Sequence, residues 1–145
     1  PPVILVKESD ADKYKTLDDI NKASVIIGAQ KNTTKAMAAA DMFPDAANGM
    51  VLESLVPTLV TELKSGKVEA VFLDSIIAGG YEAVHDDLVV VDIGLEFESD
   101  GNCVACKKGD TDLVAYINEV LDELGDEQIN ALLEEAQGIA GITEE

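Results

Sequence analysis

The sequence predicts an α/β fold: a mainly parallel sheet with helices on both faces. Three observations carry this expectation. Short apolar runs at 3–7, 24–29, 50–53, 68–73 and 88–91 have the length and composition of strands. Segments with caps and helical spacing separate most of them, so these strands do not join by tight hairpins. Hydrophobic residues make up 47% of 145 positions, enough for the core of one domain, or of one lobe with pieces of another. No internal repeat or low-complexity linker interrupts the pattern.

In chain order, V-I-L-V-K at 3–7 is the first strand and 8–12 a polar turn. Thr16 caps a short helix, T-L-D-D-I, whose first turn carries acids that suit its dipole. Residues 24–29 form the second strand. The stretch V-I-I-G-A-Q-K-N-T-T at 25–34 then leads through a polar turn into an alanine-rich helix over 33–42, stopped by Pro44. Asn32 or Thr33 can cap it, because a short side-chain oxygen accepts from the first free N–H groups. Those N–H groups and the helix dipole make a ready anion site. Lys31 and Lys35 flank it, although cations in a first turn oppose the dipole. The stretch therefore reads either as a functional site, where local rules are broken, or as a capped helix with two solvated lysines.

Asn48 and Gly49 make a turn before the third strand at 50–53. Ser54 is the expected cap of a helix to about Lys64, with Pro57 tolerated in its first turn. Leu55, Leu59, Val60 and Leu63 form its apolar face, and Ser65 and Gly66 end it. Residues 68–73 are a strand ending at Asp74, 75–84 a helix despite Gly79 and Gly80, and 88–91 a further strand. An acidic connection covers 92–101. The last strand is expected at 102–107, a turn at 108–110, helices near 111–124 and 126–138, and a frayed tail over 139–145.

Composition excludes several classes. The net charge is -19, from 29 acids against 10 bases, which repels nucleic acid and anionic lipid. Every base is a lysine, so the bidentate arginine grip on a carboxylate or phosphate cannot come from this chain. No apolar run approaches the roughly 18 residues of a membrane span. No signal peptide or lipidation motif is seen, and the start at Pro1 and Pro2 reads as processing or truncation. Cys103 and Cys106 have a redox or half-zinc spacing. On a strand, however, residues three apart face opposite sides, and His85 is the single histidine. The two read instead as small buried or half-buried side chains. No metal and no cofactor is expected.

In parallel sheets, ligands sit beyond the carboxyl ends of the strands. Two such ends stand out: residues 30–34, from Gln30 through Asn32, Thr33 and Thr34, and the lone carboxylate Asp74. A helix N-terminus beside a carboxylate complements a zwitterion, with the ligand's carboxylate on the N–H groups and its ammonium on Asp74. The plainer reading of Asp74 is a cap for the helix at 75–84.

Five segments together resemble the extracytoplasmic solute-binding proteins of polar amino acid ABC importers. They are L-V-K-E-S at Leu5, T-L-D-D-I at Thr16, V-I-I-G-A-Q-K-N-T-T at Val25, L-K-S-G-K-V-E-A-V-F-L-D at Leu63 and V-A-C-K-K-G-D-T-D-L-V-A-Y-I-N-E-V-L-D-E-L at Val104. The resemblance implies the type II periplasmic-binding-protein fold, two lobes joined by crossing strands and closing on a free amino acid. It places 1–11 as a crossing strand from lobe one, 12–98 as lobe two, and 99–145 as the returning strand and the C-terminal helices of lobe one. It implies that Asn32, Thr33 and Thr34 hold the ligand carboxylate, with Asn32 where the family has glycine, and that Asp74 holds the α-ammonium. Asn tolerates positive φ better than most residues, so the turn can survive the change. It further implies a membrane permease as partner, no catalysis, and an extracytoplasmic, membrane-anchored full-length protein.

Only the C-terminal half to three-fifths of such a receptor is matched; most of lobe one, with its aromatic wall and clamping arginine, is missing. Helical stripes through Leu113, Ile117, Val120 and Leu124, with Val114 and Leu121 beside them, and through Ile129, Leu132 and Leu133 are then uncovered and expected to meet lobe one or a second copy. Two alternatives stand beside transport. One is a free-standing one-lobed interaction or sensor module. The other is a dehydratase-like enzyme on the same scaffold, with Glu53 or His85 as its only nameable acid–base groups.

Overall fold

The computed structural model describes residues 1–95 and 103–140. These fall into two compact units, Pro1–Glu98 and Ser99–Glu145.

The first unit is built on five strands: β1 (Pro2–Lys7), β2 (Ile27–Gln30), β3 (Val51–Glu53), β4 (Ala70–Asp74) and β5 (Leu88–Val91). Their order across the sheet is β3-β2-β4-β1-β5. β2 pairs in parallel with β3 and β4, whereas β1 runs antiparallel to both β4 and β5. Four strands therefore point one way and β1 alone the other, a mainly parallel α/β sheet.

Alternation along each strand divides the core between the two faces. Ile4, Val6, Ile27, Ala70 and Phe72 point to one face, where they meet Ala39 of α2 (Thr34–Met42), Phe43 just beyond it and Ile20 of the short α1 (Leu17–Ile20). Leu5, Val71 and Leu73 point to the other, against Leu59, Val60 and Leu63 of α3 (Val56–Ser65) and Ala78 of α4 (Ser75–Val84). β2 admits α3 closely because Gly28 has no side chain: a Cβ there would stand 3.0 Å from Leu59 Cδ2.

Several local expectations shift. α1 begins as expected at Thr16, but Asp19 ties that end, its carboxylate accepting from the Thr16 N–H at 3.1 Å and the Thr16 hydroxyl at 2.8 Å. Ser54 does not cap α3. Leu55 holds the N-cap position without a side-chain bond, and it is exposed instead of joining the apolar face. Pro57 carries the helix start there, since its missing N–H falls among donors that have no intrahelical acceptor. Gly66 ends α3 in the left-handed conformation at φ 77°.

The second unit is α5 (Thr111–Ala140), two helical segments divided at Gly125, where φ 67° and ψ 165° interrupt the helix. The frayed tail expected from 139 begins too early, because Ile139 and Ala140 are still helical; 141–145 lie outside the described residues. The strand expected at 102–107 is not formed: 103–107 have no regular structure, and Asn102 lies outside the described residues. A strand exists only through a ladder to a neighbour, which a short apolar run does not itself supply. Cys106 is half-buried as expected but Cys103 is exposed, and both are free thiols. Of the connection at 92–101, residues 92–95 are irregular and the rest is outside the described residues. Among the described residues, no helix is long and apolar enough to cross a membrane.

Candidate functional site

The sheet opens where β2 and β4 end side by side. Their register pairs Ala29 with Phe72, which leaves Gln30 and Asp74 at adjacent carboxyl ends. The chain leaves β2 into α2 on one face and β4 into α4 on the other. Neighbouring parallel strands whose helices part in this way leave a crevice between them. Here it is a cleft of about 350 Å³, walled by Gln30, Thr33, Thr34 and Lys35 on one side and by Phe72, Leu73, Asp74 and Ile77 on the other.

The β2–α2 turn is held by its own side chains. Asn32 is the one non-glycine residue with positive φ among the described residues, at 61°. Asparagine reaches this region more easily than most residues. Thr33 donates its hydroxyl to the Gln30 carbonyl at 2.7 Å and accepts from the Ala36 N–H at 3.2 Å, so it is the N-cap of α2. Met37 makes the first intrahelical bond, to the Thr33 carbonyl. The Thr34 and Lys35 N–H groups come before it and have no acceptor within the helix. Gln30 donates from Nε2 to the Ser54 carbonyl at 3.1 Å and ties the end of β2 to the loop before α3.

Across the cleft, Asp74 is the N-cap of α4 and accepts from the Ile76 N–H at 3.3 Å through Oδ1. Its Oδ2 lies 2.9 Å from Lys35 Nζ. Partial burial pushes the Asp74 carboxyl up, but the Lys35 ammonium and the Ile76 N–H outweigh burial and hold it below the ordinary aspartate range. A carboxyl lowered on folding adds stability above its unfolded value, and that stability disappears as pH falls through the folded value. Asp74→Asn is therefore expected to lose less stability than the parent as pH falls from neutral through and below the ordinary aspartate range. The effect is modest, since both partners remain partly in water. Equal falls in the urea midpoint of both proteins would show that the bridge contributes nothing.

Four of the five residues expected at the site, Gln30, Thr33, Thr34 and Asp74, line this one cleft. Asn32 shapes its turn and is exposed outside the lining. Lys35, Phe72, Leu73 and Ile77 were not among the expected site residues; only Lys35 had a local signal, as a cation against the helix dipole. Glu53 ends β3 opposite Gln30 without lining the cleft. His85 stacks on Tyr81 at the far end of α4 from Asp74. Among the described residues, no group of three or more His, Cys, Asp or Glu gathers to hold a metal.

A cleft at the carboxyl ends of neighbouring parallel strands is where open α/β sheets take their ligands. No protein-family model and no curated protein matches the chain. Solved structures do. The chain is similar to an amino acid ABC transporter substrate-binding protein from Streptococcus pneumoniae bound to L-arginine. The two are 31% identical with a TM-score of 0.82, over 94% of this chain and 56% of that one. It is similar to an ancestral amino acid-binding protein described as a precursor of cyclohexadienyl dehydratase. Here identity is 29% and the TM-score 0.72, over 93% of this chain and 56% of that one. A truncated, arginine-bound ArgBP from T. maritima is 30% identical with a TM-score of 0.69, over 86% of this chain and 55% of that one. The resemblance carried by the five sequence segments thus holds in three dimensions: the chain has the fold of amino acid ABC transporter substrate-binding proteins. It spans little more than half the length of each.

Proposed function

We propose that this chain is part of the substrate-binding component of an amino acid ABC importer, the part that holds the α-ammonium and α-carboxylate of a free amino acid for delivery to a membrane permease. The observation that carries the reading is the cleft itself. It sets a lone carboxylate, Asp74, opposite a helix start with open N–H donors at Thr34 and Lys35. Anions suit such a start, and ammonium suits Asp74. In this reading residues 12–98 are lobe two, while 1–11 and 99–145 belong with lobe one. The full-length receptor works outside the membrane, anchored to it. L-Arginine in two of the similar structures makes it the first ligand to try.

Nuclear magnetic resonance titration tests this. L-Arginine at millimolar concentration is expected to shift the amides of residues 30–35 and 74–77 and to leave α5 unmoved. Shifts scattered over the acidic surface, with none at these positions, would sink the reading. The dehydratase alternative draws on the described descent of one similar protein. It has less support in the cleft, since neither Glu53 nor His85 lines it.

The C-terminal helices bear on the missing lobe. Leu113, Val114 and Leu121, with Ile129 and Leu132, are exposed, while Ile117, Val120, Leu124 and Leu133 are half-buried. Apolar stripes of this kind mark contact surfaces. Without lobe one, the chain is expected to self-associate through them. Sedimentation should show mass rising with concentration, and a Leu121→Glu, Leu132→Glu variant should suppress the rise; a clean monomer throughout would count against it.

A further inference from the structure

Lys35 breaks a local rule, and the cleft supplies the reason. It lies in the first turn of α2, where a cation opposes the helix dipole, yet its ammonium reaches across to Asp74 at 2.9 Å. Both side chains line the cleft and both remain partly open to water, Lys35 at 34% and Asp74 at 20% exposure. The carboxylate assigned above to a ligand ammonium is thus already paired with an ammonium of the chain.

Resting on that reading, we infer that Lys35 is a specificity-determining residue: it occupies Asp74 while the cleft is empty and turns to the ligand's α-carboxylate when an amino acid enters. The chemistry favours exchange over simple displacement. A zwitterion brings one charge of each sign. Its ammonium replaces Lys35 on Asp74, and its carboxylate, directed to the Thr34 and Lys35 N–H groups, comes to the residue whose side chain has just been released. One ion pair becomes two, and no charge is left unpaired. An amine without a carboxylate gains Asp74 only by leaving Lys35 without a partner, so Lys35 selects against it. In a chain with no arginine, this lysine is the cation of the cleft that can meet a ligand carboxylate. Lys31 is exposed on the turn and does not line the cleft.

The test compares L-arginine with agmatine, the same molecule without its carboxylate, by amide shifts at moderate salt in the parent, Lys35→Gln and Lys35→Arg. The parent should prefer L-arginine. In Lys35→Gln, agmatine should bind more tightly than to the parent, and the preference for L-arginine should shrink by at least about tenfold, the lower end for one charge-assisted bond. Lys35→Arg should keep the preference. Unchanged preference in Lys35→Gln, with both probes still shifting residues 30–35 and 74–77, would overturn the role of Lys35 and leave the amino acid reading intact. Absence of shifts there with either probe in all three proteins would overturn the amino acid reading and this inference together.

Discussion

Phe72→Ala is expected to destabilise the first unit by about 3–5 kcal/mol, the range for removing a buried aromatic ring. That is a large share of the roughly 5–15 kcal/mol that holds a domain folded. Phe72 is 1% exposed and sits in the middle of β4, with its backbone between β1 and β2. Its ring meets Phe43, just beyond α2, edge to face at a centroid distance of 6.1 Å. Strand pairing on both sides keeps the backbone from collapsing into the space left, so the cavity term stays in full. The same ring seats α2 on β4, the two elements that carry Lys35 and Asp74. Urea unfolding should show a lower midpoint with an unchanged slope, and Phe72→Leu should lie between. A loss under about 1 kcal/mol would mean that the two phenyl rings are not packed as described.

No free amino acid is expected to bind this chain with micromolar affinity. The cleft offers one carboxylate, one lysine and the donors of one helix start, while the chain spans only 56% of the length of the arginine-bound relative from Streptococcus pneumoniae. Charge-assisted hydrogen bonds contribute about 1.5–3 kcal/mol each, and about 4 kcal/mol separates micromolar from millimolar binding. In the proposed reading, two or three contacts made by the other lobe are therefore enough to separate micromolar from millimolar affinity. Calorimetric titration of the isolated chain at micromolar concentration should be silent for all standard amino acids. Under the proposed function, the same cleft joined to a second lobe should bind about a thousandfold more tightly. A micromolar isotherm from this chain alone would show that its own residues make a complete site.

The parts of the site legible in the sequence are those with local causes. Thr33 caps α2 because a threonine oxygen lies within reach of an N–H three residues on, and Asp74 caps α4 by accepting from an N–H two residues on. Asn32 takes positive φ where the resembling family has glycine, because its short side chain tolerates it. Ser54 and Leu55 show the reverse. A good capping residue lost the position to a leucine, because α3 starts where Leu59 and Leu63 meet the sheet and Pro57 fits the first turn. The expected strand at 102–107 had the right composition, but composition does not provide a partner.

By itself, the sequence determined the alternation of strands and helices, the turn at Asn32, the two caps facing the cleft and the break near Gly125. Each follows from residues a few positions apart, whose steric and hydrogen-bonding preferences act locally. The tertiary structure decided the strand order β3-β2-β4-β1-β5, the reversed direction of β1 and the meeting of Lys35 with Asp74. Those depend on which strand ends lie side by side, and burial on both faces of the sheet settles that over the whole unit. The ion pair spanning the cleft is a consequence of that packing, and no local pattern around either residue contains it.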